Sequence, residues 1–103
     1  MAEELTLETL RGEIDALDEA IVKLLDRRAR CASAVGQIKR ELGLCIYEPG
    51  REAAVIAHVK AINASLCGPL TEDAMERLYE RVMDEARRIQ RLEFERHNHQ
   101  EPD

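Results

Sequence analysis

The chain has 103 residues, of which 45% are hydrophobic but only 3% aromatic, with no tryptophan, so its core would consist of aliphatic side chains and alanine. This length fits one domain, which we place at 1–103, with a core at about 5–92 and a polar tail at 93–103. The net charge of −6 and the lack of a basic block argue against a nucleic-acid partner, because phosphate binding needs a surplus of positive charge.

The sequence also argues against an export signal and a membrane partner. The N-terminus, Met1-Ala2-Glu3-Glu4, has neither the positive region nor the apolar region of a signal peptide. No stretch approaches the roughly 20 apolar residues that a membrane span requires. We therefore expect a cytoplasmic protein.

The cysteines and histidines do not follow a metal-binding pattern. They are Cys31, Cys45 and Cys67, and His58, His97 and His99. An odd number of cysteines without C-x-x-C spacing is not typical of a zinc site or a redox motif. We expect reduced, partly buried thiols, no metal and no cofactor.

A first helix is predicted to begin after Thr6, a suitable N-cap residue, with Glu8 in its first turn. Apolar residues then recur at steps of three and four, as in a coiled coil, with an interruption at Arg28. We call this set the α1 stripe; it comprises Leu10, Ile14, Leu17, Ile21, Leu24, Cys31, Val35, Ile38 and Leu42. Gly43 is a suitable residue to end the helix.

Two shorter helices are predicted to follow. Pro49 suits the first turn of the second helix, and the segment 63–69 carries stop and turn signals. The predicted buried face of this helix is Val55, Ile56, Val59 and Ile62. Thr71 is the predicted N-cap of a third helix. Its apolar residues are Met75, Leu78, Val82, Ala86 and Ile89. Beyond about Phe94 the chain becomes polar, and we expect the helix to fray there.

The length of the first helix predicts a dimer. One helix over 5–42 would be about 57 Å long, whereas a compact chain of this size has a radius of gyration of about 13 Å. The other two helices can cover only part of the α1 stripe, and a second copy would supply the missing surface. We predict an all-α fold with three helices per chain, one of them very long, in an intertwined homodimer.

Arg28 occupies a position at which the α1 stripe calls for an apolar residue, and a buried guanidinium needs a negative partner. Lys39 falls on the same helix face, within about 20° and about 16 Å along the axis. A small dianionic ligand could therefore contact both side chains. Alternatively, Arg28 pairs with a glutamate from another helix and Lys39 extends to solvent, and the spacing leaves both interpretations open.

Arg11 lies about 25 Å along the helix from Arg28 and about 100° around it, so the two cannot share a site within one chain. In an antiparallel dimer, the N-terminal end of one long helix can pass the middle of the other, and each site would then be composite. The alternative is that Arg11 is a solvated surface residue.

Glu48-Pro49-Gly50-Arg51-Glu52 opens the second helix, where carboxylates favour the positive end of the helix dipole. That preference alone would explain both glutamates. Further along the chain, Gln90 falls near the edge of the apolar face of the third helix. A buried amide there would need a partner, although an exposed glutamine fits the pattern equally well.

Five ordered blocks of sequence point to a known family. They are Leu10-Arg11-Gly12-Glu13-Ile14-Asp15-Ala16-Leu17-Asp18, Leu24-Leu25-Asp26-Arg27-Arg28, Val35-Gly36-Gln37-Ile38-Lys39, Glu48-Pro49-Gly50-Arg51-Glu52 and Gln90. In this order and spacing they resemble the AroQ-type, all-helical chorismate mutases, and the similarity extends over about 5–92.

The resemblance implies a cofactor-free dimer that converts chorismate to prephenate by a Claisen rearrangement, in the biosynthesis of phenylalanine and tyrosine. By that resemblance, Arg28 and Arg11 of the partner subunit bind the two carboxylates of the substrate. Lys39 and Gln90 flank the ether oxygen of the breaking bond. Such a reaction transfers no proton, so its catalysis depends on holding a reactive conformer and stabilising charge on the ether oxygen.

The resemblance further implies that Glu52, with help from Glu48, binds the ring hydroxyl and that Arg51 supports this end of the substrate. The sequence departs from the family at Ala86, where many members have a serine one turn before the glutamine. One contact to a substrate carboxylate would then be missing. Glu48 replaces an aspartate that is frequent in the family and keeps the carboxylate.

Two other classes of function stay open. An isochorismate-pyruvate lyase or an aminodeoxychorismate mutase would share the scaffold and its arginine, lysine and glutamine residues. The pair Arg51-Glu52 favours the chorismate mutase, because its members use that pattern around the ring hydroxyl. The other possibility is a non-catalytic helical dimerisation or regulatory module, in which the buried cations would be paired within the protein.

Overall fold

The computed structural model describes residues 5–100, with side chains through Asn98, and contains three helices: α1 (Leu7–Leu42), α2 (Pro49–Leu66) and α3 (Glu72–Gln100). No residue in this range is in a strand, so the all-α prediction is confirmed. The predictions made from residues 1–4, the end of the tail at 101–103 and the side chain of residue 99 lie outside the described part. Within that part, no helix is long and apolar enough to cross a membrane.

Both ends of α1 follow from local sequence. At the N-terminus, the Thr6 hydroxyl accepts a hydrogen bond from the Thr9 amide at 3.1 Å, and the Thr9 hydroxyl accepts one from the Thr6 amide at 3.0 Å. At the C-terminus, Gly43 has a φ of 69°, a left-handed conformation that glycine adopts without steric cost. The amides of Gly43 and Leu44 donate to the carbonyls of Arg40 and Lys39, as in a Schellman motif.

The chain divides into two compact units, 1–31 and 32–103, which are described separately. In the first unit the residues of the α1 stripe are exposed within the single chain. Their exposed fractions are 41% for Leu10, 53% for Ile14, 60% for Leu17, 52% for Ile21 and 58% for Leu24. An apolar face of this extent is unusual for the surface of a monomer.

In the second unit, α2 packs against α3. The buried hydrophobic side chains of the described residues are Val59 on α2 and Met83 on α3, exposed by 8% and 7%. Two predicted core residues are exposed instead, Ile62 by 48% and Leu78 by 53%. The buried face of α3 is centred near Met83, and Leu78, five residues earlier, lies about 140° around the helix from it.

Helix α2 begins at Pro49 and ends at Leu66, and its C-cap residue, Cys67, has a left-handed φ of 51°. Helix α3 begins after Thr71, whose hydroxyl accepts a hydrogen bond from the Ala74 amide at 3.1 Å. These predicted boundaries are confirmed. By contrast, the expected fraying beyond Phe94 is wrong for the described residues, because α3 continues to Gln100. The Ser33 hydroxyl donates to the Glu93 carboxylate, at 2.7 and 2.6 Å from its two oxygens, and fastens this part of α3 to α1.

The three cysteines are free, as predicted, but all are exposed rather than partly buried. Cys45 and Cys67 lie beyond the ends of α1 and α2, where little of the chain packs over them. Cys31 belongs to the α1 stripe, and its exposure matches that of the stripe residues before it.

We expect Thr71→Ala to lower the free energy of unfolding by about 1 kcal/mol, because the first turn of α3 loses its N-cap acceptor. Thr71→Ser is the matched control, since it keeps the hydroxyl and should retain most of the stability. Urea denaturation followed by circular dichroism measures both variants. Equal losses in the two would show that the hydroxyl contributes nothing as a cap.

Candidate active site

Lys39, in the last turn of α1, is the most deeply buried charged residue in the described part of the chain, with 7% of its surface exposed. Its ammonium donates a hydrogen bond to the Ile46 carbonyl at 2.7 Å and forms an ion pair with the Glu48 carboxylate at 2.7 Å. The alternative that Lys39 extends to solvent is therefore wrong. An ammonium has three N–H donors, so one donor remains for a ligand.

Glu48 precedes α2 and occupies its N-cap position, but its side chain makes no capping hydrogen bond. The carboxylate binds Lys39 instead, and about half of the side chain, 53%, is exposed. The Glu48 carboxylate therefore has a partner besides the positive end of the helix dipole. The carboxylate offsets part of the cost of burying the Lys39 charge.

Gln90 of α3 is buried, with 7% of its surface exposed, so the alternative of an exposed glutamine is wrong. Its amide nitrogen donates to the Ala32 carbonyl of α1 at 2.8 Å. Gly36 lies directly beneath the side chain, and a Cβ atom at that position would be 2.8 Å from Gln90 Cγ. A larger residue at 36 would therefore force Gln90 or one of the two helices to shift. The amide group has a second N–H, which is left for a ligand.

Glu52, in the first turn of α2, binds an arginine that the sequence analysis did not single out. The Arg87 guanidinium of α3 donates from Nη1 to Glu52 Oε1 at 2.6 Å, and the two side chains are 24% and 21% exposed. Its other terminal nitrogen, Nη2, donates to Asp84 Oδ1. The guanidinium carbon also lies 5.4 Å from the centre of the Tyr47 ring, within the range of a cation–π contact.

Arg87 and its three contacts, Tyr47, Glu52 and Asp84, form one cluster. The electrostatics of this cluster favour the charged form of Arg87. Burial lowers the pKa of the guanidinium, but the charges and hydrogen bonds of Glu52 and Asp84 outweigh burial and raise that pKa above its ordinary value. The only signals for Arg87 in the sequence were the spacing of Asp84 and Arg87 by three residues and a position about 40° from Met83 on the helix. Neither signal identifies Glu52 as the partner.

Beside this cluster is an open cleft of about 530 Å³. It is lined by Tyr47, Arg81, Asp84, Glu85, Arg87, Arg88 and Arg91. Four of these seven residues are arginines, although Arg81 is paired with Glu85 at 2.7 Å. The described residues contain no group of three or more histidine, cysteine, aspartate or glutamate side chains that could hold a metal ion.

For the remaining predicted site residues, the structure gives the position on a helix and the degree of burial. Arg11 and Arg28 lie in the first unit, where Arg11 is exposed and Arg28 is half-buried. Arg51 is exposed at the start of α2, and Ala86 is half-buried on α3. The structure thus brings Lys39 together with Glu48, while the roles assigned to the residues in this paragraph stay predictions.

Comparison with known proteins identifies a family, related sequences and related structures. The profile of the family described as chorismate mutase type II matches residues 10–91. A bifunctional chorismate mutase/prephenate dehydratase from Stutzerimonas stutzeri is 39% identical over 88 residues, which cover 81% of this chain and 23% of that protein. The T-protein of Haemophilus influenzae is 38% identical over 73 residues, which cover 69% of this chain and 19% of that protein. The chain thus spans less than a quarter of the length of these curated relatives.

A solved structure of form II of the chorismate mutase from Thermus thermophilus matches the fold with a TM-score of 0.78 and 28% sequence identity. The match covers 82% of this chain and 93% of that one, so the likeness extends over nearly the whole of a protein of similar size. Since the family profile extends from the first turns of α1 to Arg91 on α3, this chain belongs to the chorismate mutase type II family.

Proposed function

We propose that this chain catalyses the rearrangement of chorismate to prephenate, a step in the biosynthesis of phenylalanine and tyrosine. The observation that carries the proposal is the buried Lys39 ammonium, held by Ile46 and Glu48 with one donor left over, in a member of this family. The match to nearly the full length of the Thermus thermophilus chorismate mutase supports a chain of this size as a sufficient scaffold.

The chemistry suits donors that are fixed before the substrate binds. The rearrangement moves electrons around a ring and transfers no proton, so an acid or a base has no role. In this proposal, the remaining donors of Lys39 and Gln90 face the ether oxygen, on which negative charge develops as the C–O bond breaks. Both side chains are already held by backbone carbonyls, so little reorganisation is needed at the moment of reaction.

At the other end of the substrate, Glu52 accepts a hydrogen bond from the ring hydroxyl, with Glu48 and Arg51 nearby in sequence. The two carboxylates of chorismate are bound by Arg28 and by Arg11 of the partner subunit. Ala86 has no hydroxyl, so its side chain donates no hydrogen bond to the substrate. No metal or cofactor takes part in this mechanism.

The proposal includes a homodimer with composite sites. The exposed apolar residues of the α1 stripe in the first unit support it, because they need a covering surface and a second copy carries the complementary one. In this proposal the dimer is needed for catalysis as well as for stability. Each site would lack the Arg11 guanidinium without the other subunit. The cytoplasmic location expected from the sequence stays a prediction.

The first test is the reaction of the purified chain with chorismate and, separately, with isochorismate. We expect prephenate from chorismate, measured by the loss of chorismate absorbance and by chromatography of the product. Salicylate and pyruvate from isochorismate alone would instead identify a lyase. No turnover of either compound, together with no binding of a bicyclic transition-state analogue in calorimetry, would favour a non-catalytic module.

We expect Lys39→Ala to lower kcat by about 10²–10³-fold, because one donor to the developing charge is lost. The matched control is Lys60→Ala, which removes a lysine that is likewise paired with a glutamate, Glu76, at 3.1 Å. That variant should keep wild-type kcat. Comparable losses in both variants, or none in Lys39→Ala, would remove Lys39 from the site.

Mixing two inactive variants tests whether the sites are shared between subunits. We expect Arg11→Ala and Arg28→Ala homodimers to be inactive, whereas their heterodimers regain activity because one of the two sites has both arginines. Chains carrying different affinity tags allow the heterodimer to be isolated and assayed. A verified heterodimer without activity would contradict the composite site, and a monomeric wild type would contradict the dimer itself.

Gly36→Ala should displace Gln90 and lower kcat, because the added Cβ would lie 2.8 Å from Gln90 Cγ. Gly12→Ala is the matched control on the same helix, since a Cβ at Gly12 meets no atom within 4 Å and lies on the side of α1 away from the stripe residue Leu10. It should keep activity and gain up to about 1 kcal/mol of stability from helix propensity. Steady-state kinetics and thermal denaturation decide the comparison; full activity in Gly36→Ala would show that Gln90 is not needed where it lies.

A further inference from the structure

Arg87 connects three segments of the second unit at one point. Its guanidinium binds Glu52 at the start of α2, Asp84 one turn earlier on α3, and the ring of Tyr47 in the segment that joins α1 to α2. Both terminal nitrogens are therefore engaged, and one face of the planar group is covered. A side chain held at three points has few conformations left, so the atoms that it contacts are held as well.

The hydrogen bond from Arg87 leaves part of the Glu52 carboxylate available. Nη1 donates to Oε1 at 2.6 Å, and no hydrogen bond within the described residues involves Oε2. A carboxylate oxygen can accept a hydroxyl proton while its twin is held by a guanidinium. The side chain is 21% exposed, so the open oxygen can be reached. The geometry thus presents one fixed acceptor rather than a freely rotating carboxylate.

We propose that Arg87 is a positioning residue, which sets the orientation of Glu52 so that Oε2 meets the ring hydroxyl of the substrate. This inference rests on the proposed function and deepens it, because it assigns a role to a residue outside the predicted site. Arg87 does not touch the substrate in this account. It acts through Glu52, and its effect should disappear when the Glu52 carboxylate is absent.

The positive charge of Arg87 has a second proposed effect, on the charge of Glu52. The proposed substrate carries two carboxylates, and an unpaired Glu52 would repel it across a partly buried site, where charges are weakly screened. The Arg87 guanidinium neutralises the Glu52 carboxylate without blocking Oε2. Glu52 can then select a hydroxyl donor while a dianion binds beside it.

Lysine would not serve equally well at position 87. A guanidinium is planar and carries two terminal nitrogens, which here reach Glu52 and Asp84 while the face of the group lies over Tyr47. An ammonium is a single point of charge and cannot make these contacts together in the same plane. We therefore expect Arg87→Lys to keep the positive charge that neutralises Glu52 but to hold the Glu52 carboxylate in a less defined orientation.

The test is a double-mutant cycle of Arg87→Leu and Glu52→Gln, assayed for kcat/KM with chorismate. We expect Arg87→Leu to lower kcat/KM by about tenfold to a hundredfold, because a displacement of about 1 Å can cost about 10²-fold. In the Glu52→Gln background the same substitution should cost less than about twofold, since the carboxylate that Arg87 orients is gone. Arg77→Leu is the matched control, an exposed arginine on α3 outside the lining of the cleft, for which we expect wild-type kinetics.

The outcomes separate this inference from the proposed function. A wild type that produces no prephenate overturns the proposed function and this role with it. A wild type that is active, combined with equal losses from Arg87→Leu in both backgrounds, overturns only the positioning role, as does an equal loss in Arg77→Leu. If Arg87→Leu fails to fold, as judged by circular dichroism, Arg87→Lys takes its place in the cycle and should show a smaller loss with the same dependence on Glu52.

Discussion

A buried ammonium needs negative or carbonyl partners. The segment between α1 and α2 supplies both kinds of partner to the Lys39 ammonium. The Schellman motif at Gly43 turns the chain back sharply, and the following segment brings the Ile46 carbonyl and the Glu48 carboxylate to the same nitrogen. Without these partners the charge would be too costly to bury in the last turn of a helix. With them, the charge is fixed in place before any ligand arrives, and the start of α2 is held by the same contact.

Helix α3 contributes two further residues to the candidate site. Gln90 and Arg87 lie three residues apart, and they point to different neighbours: Gln90 to the backbone of α1, and Arg87 to the first turn of α2. One helix therefore holds a candidate donor in place with one residue and orients a candidate acceptor with the other. Because both groups are mounted on helices rather than on loops, their separation varies little with thermal motion.

Polar contacts supplement a small apolar core in the second unit. In the described residues only Val59 and Met83 are buried hydrophobic side chains, so a single chain has little apolar core of its own. The polar contacts Ser33 to Glu93, Gln90 to Ala32 and Arg87 to Glu52 connect the helices of the second unit. The α1 stripe of the first unit contributes little burial within the single chain, which is the physical reason to propose that a second copy covers it.

The sequence by itself determined the three helices and most of their ends, because the signals involved act over a few residues: Thr6 and Thr71 as caps, Pro49 in a first turn and Gly43 in a left-handed turn. Spacing and family resemblance also predicted Lys39 as a site residue, and the resemblance predicted Gln90 as another. Only the tertiary structure decided which face of α3 is buried, that α3 continues beyond Phe94, and that Lys39 is held by Ile46 and Glu48. The pairing of Arg87 with Glu52, thirty-five residues apart, depends on how α2 and α3 cross, and no pattern local to either helix encodes that crossing.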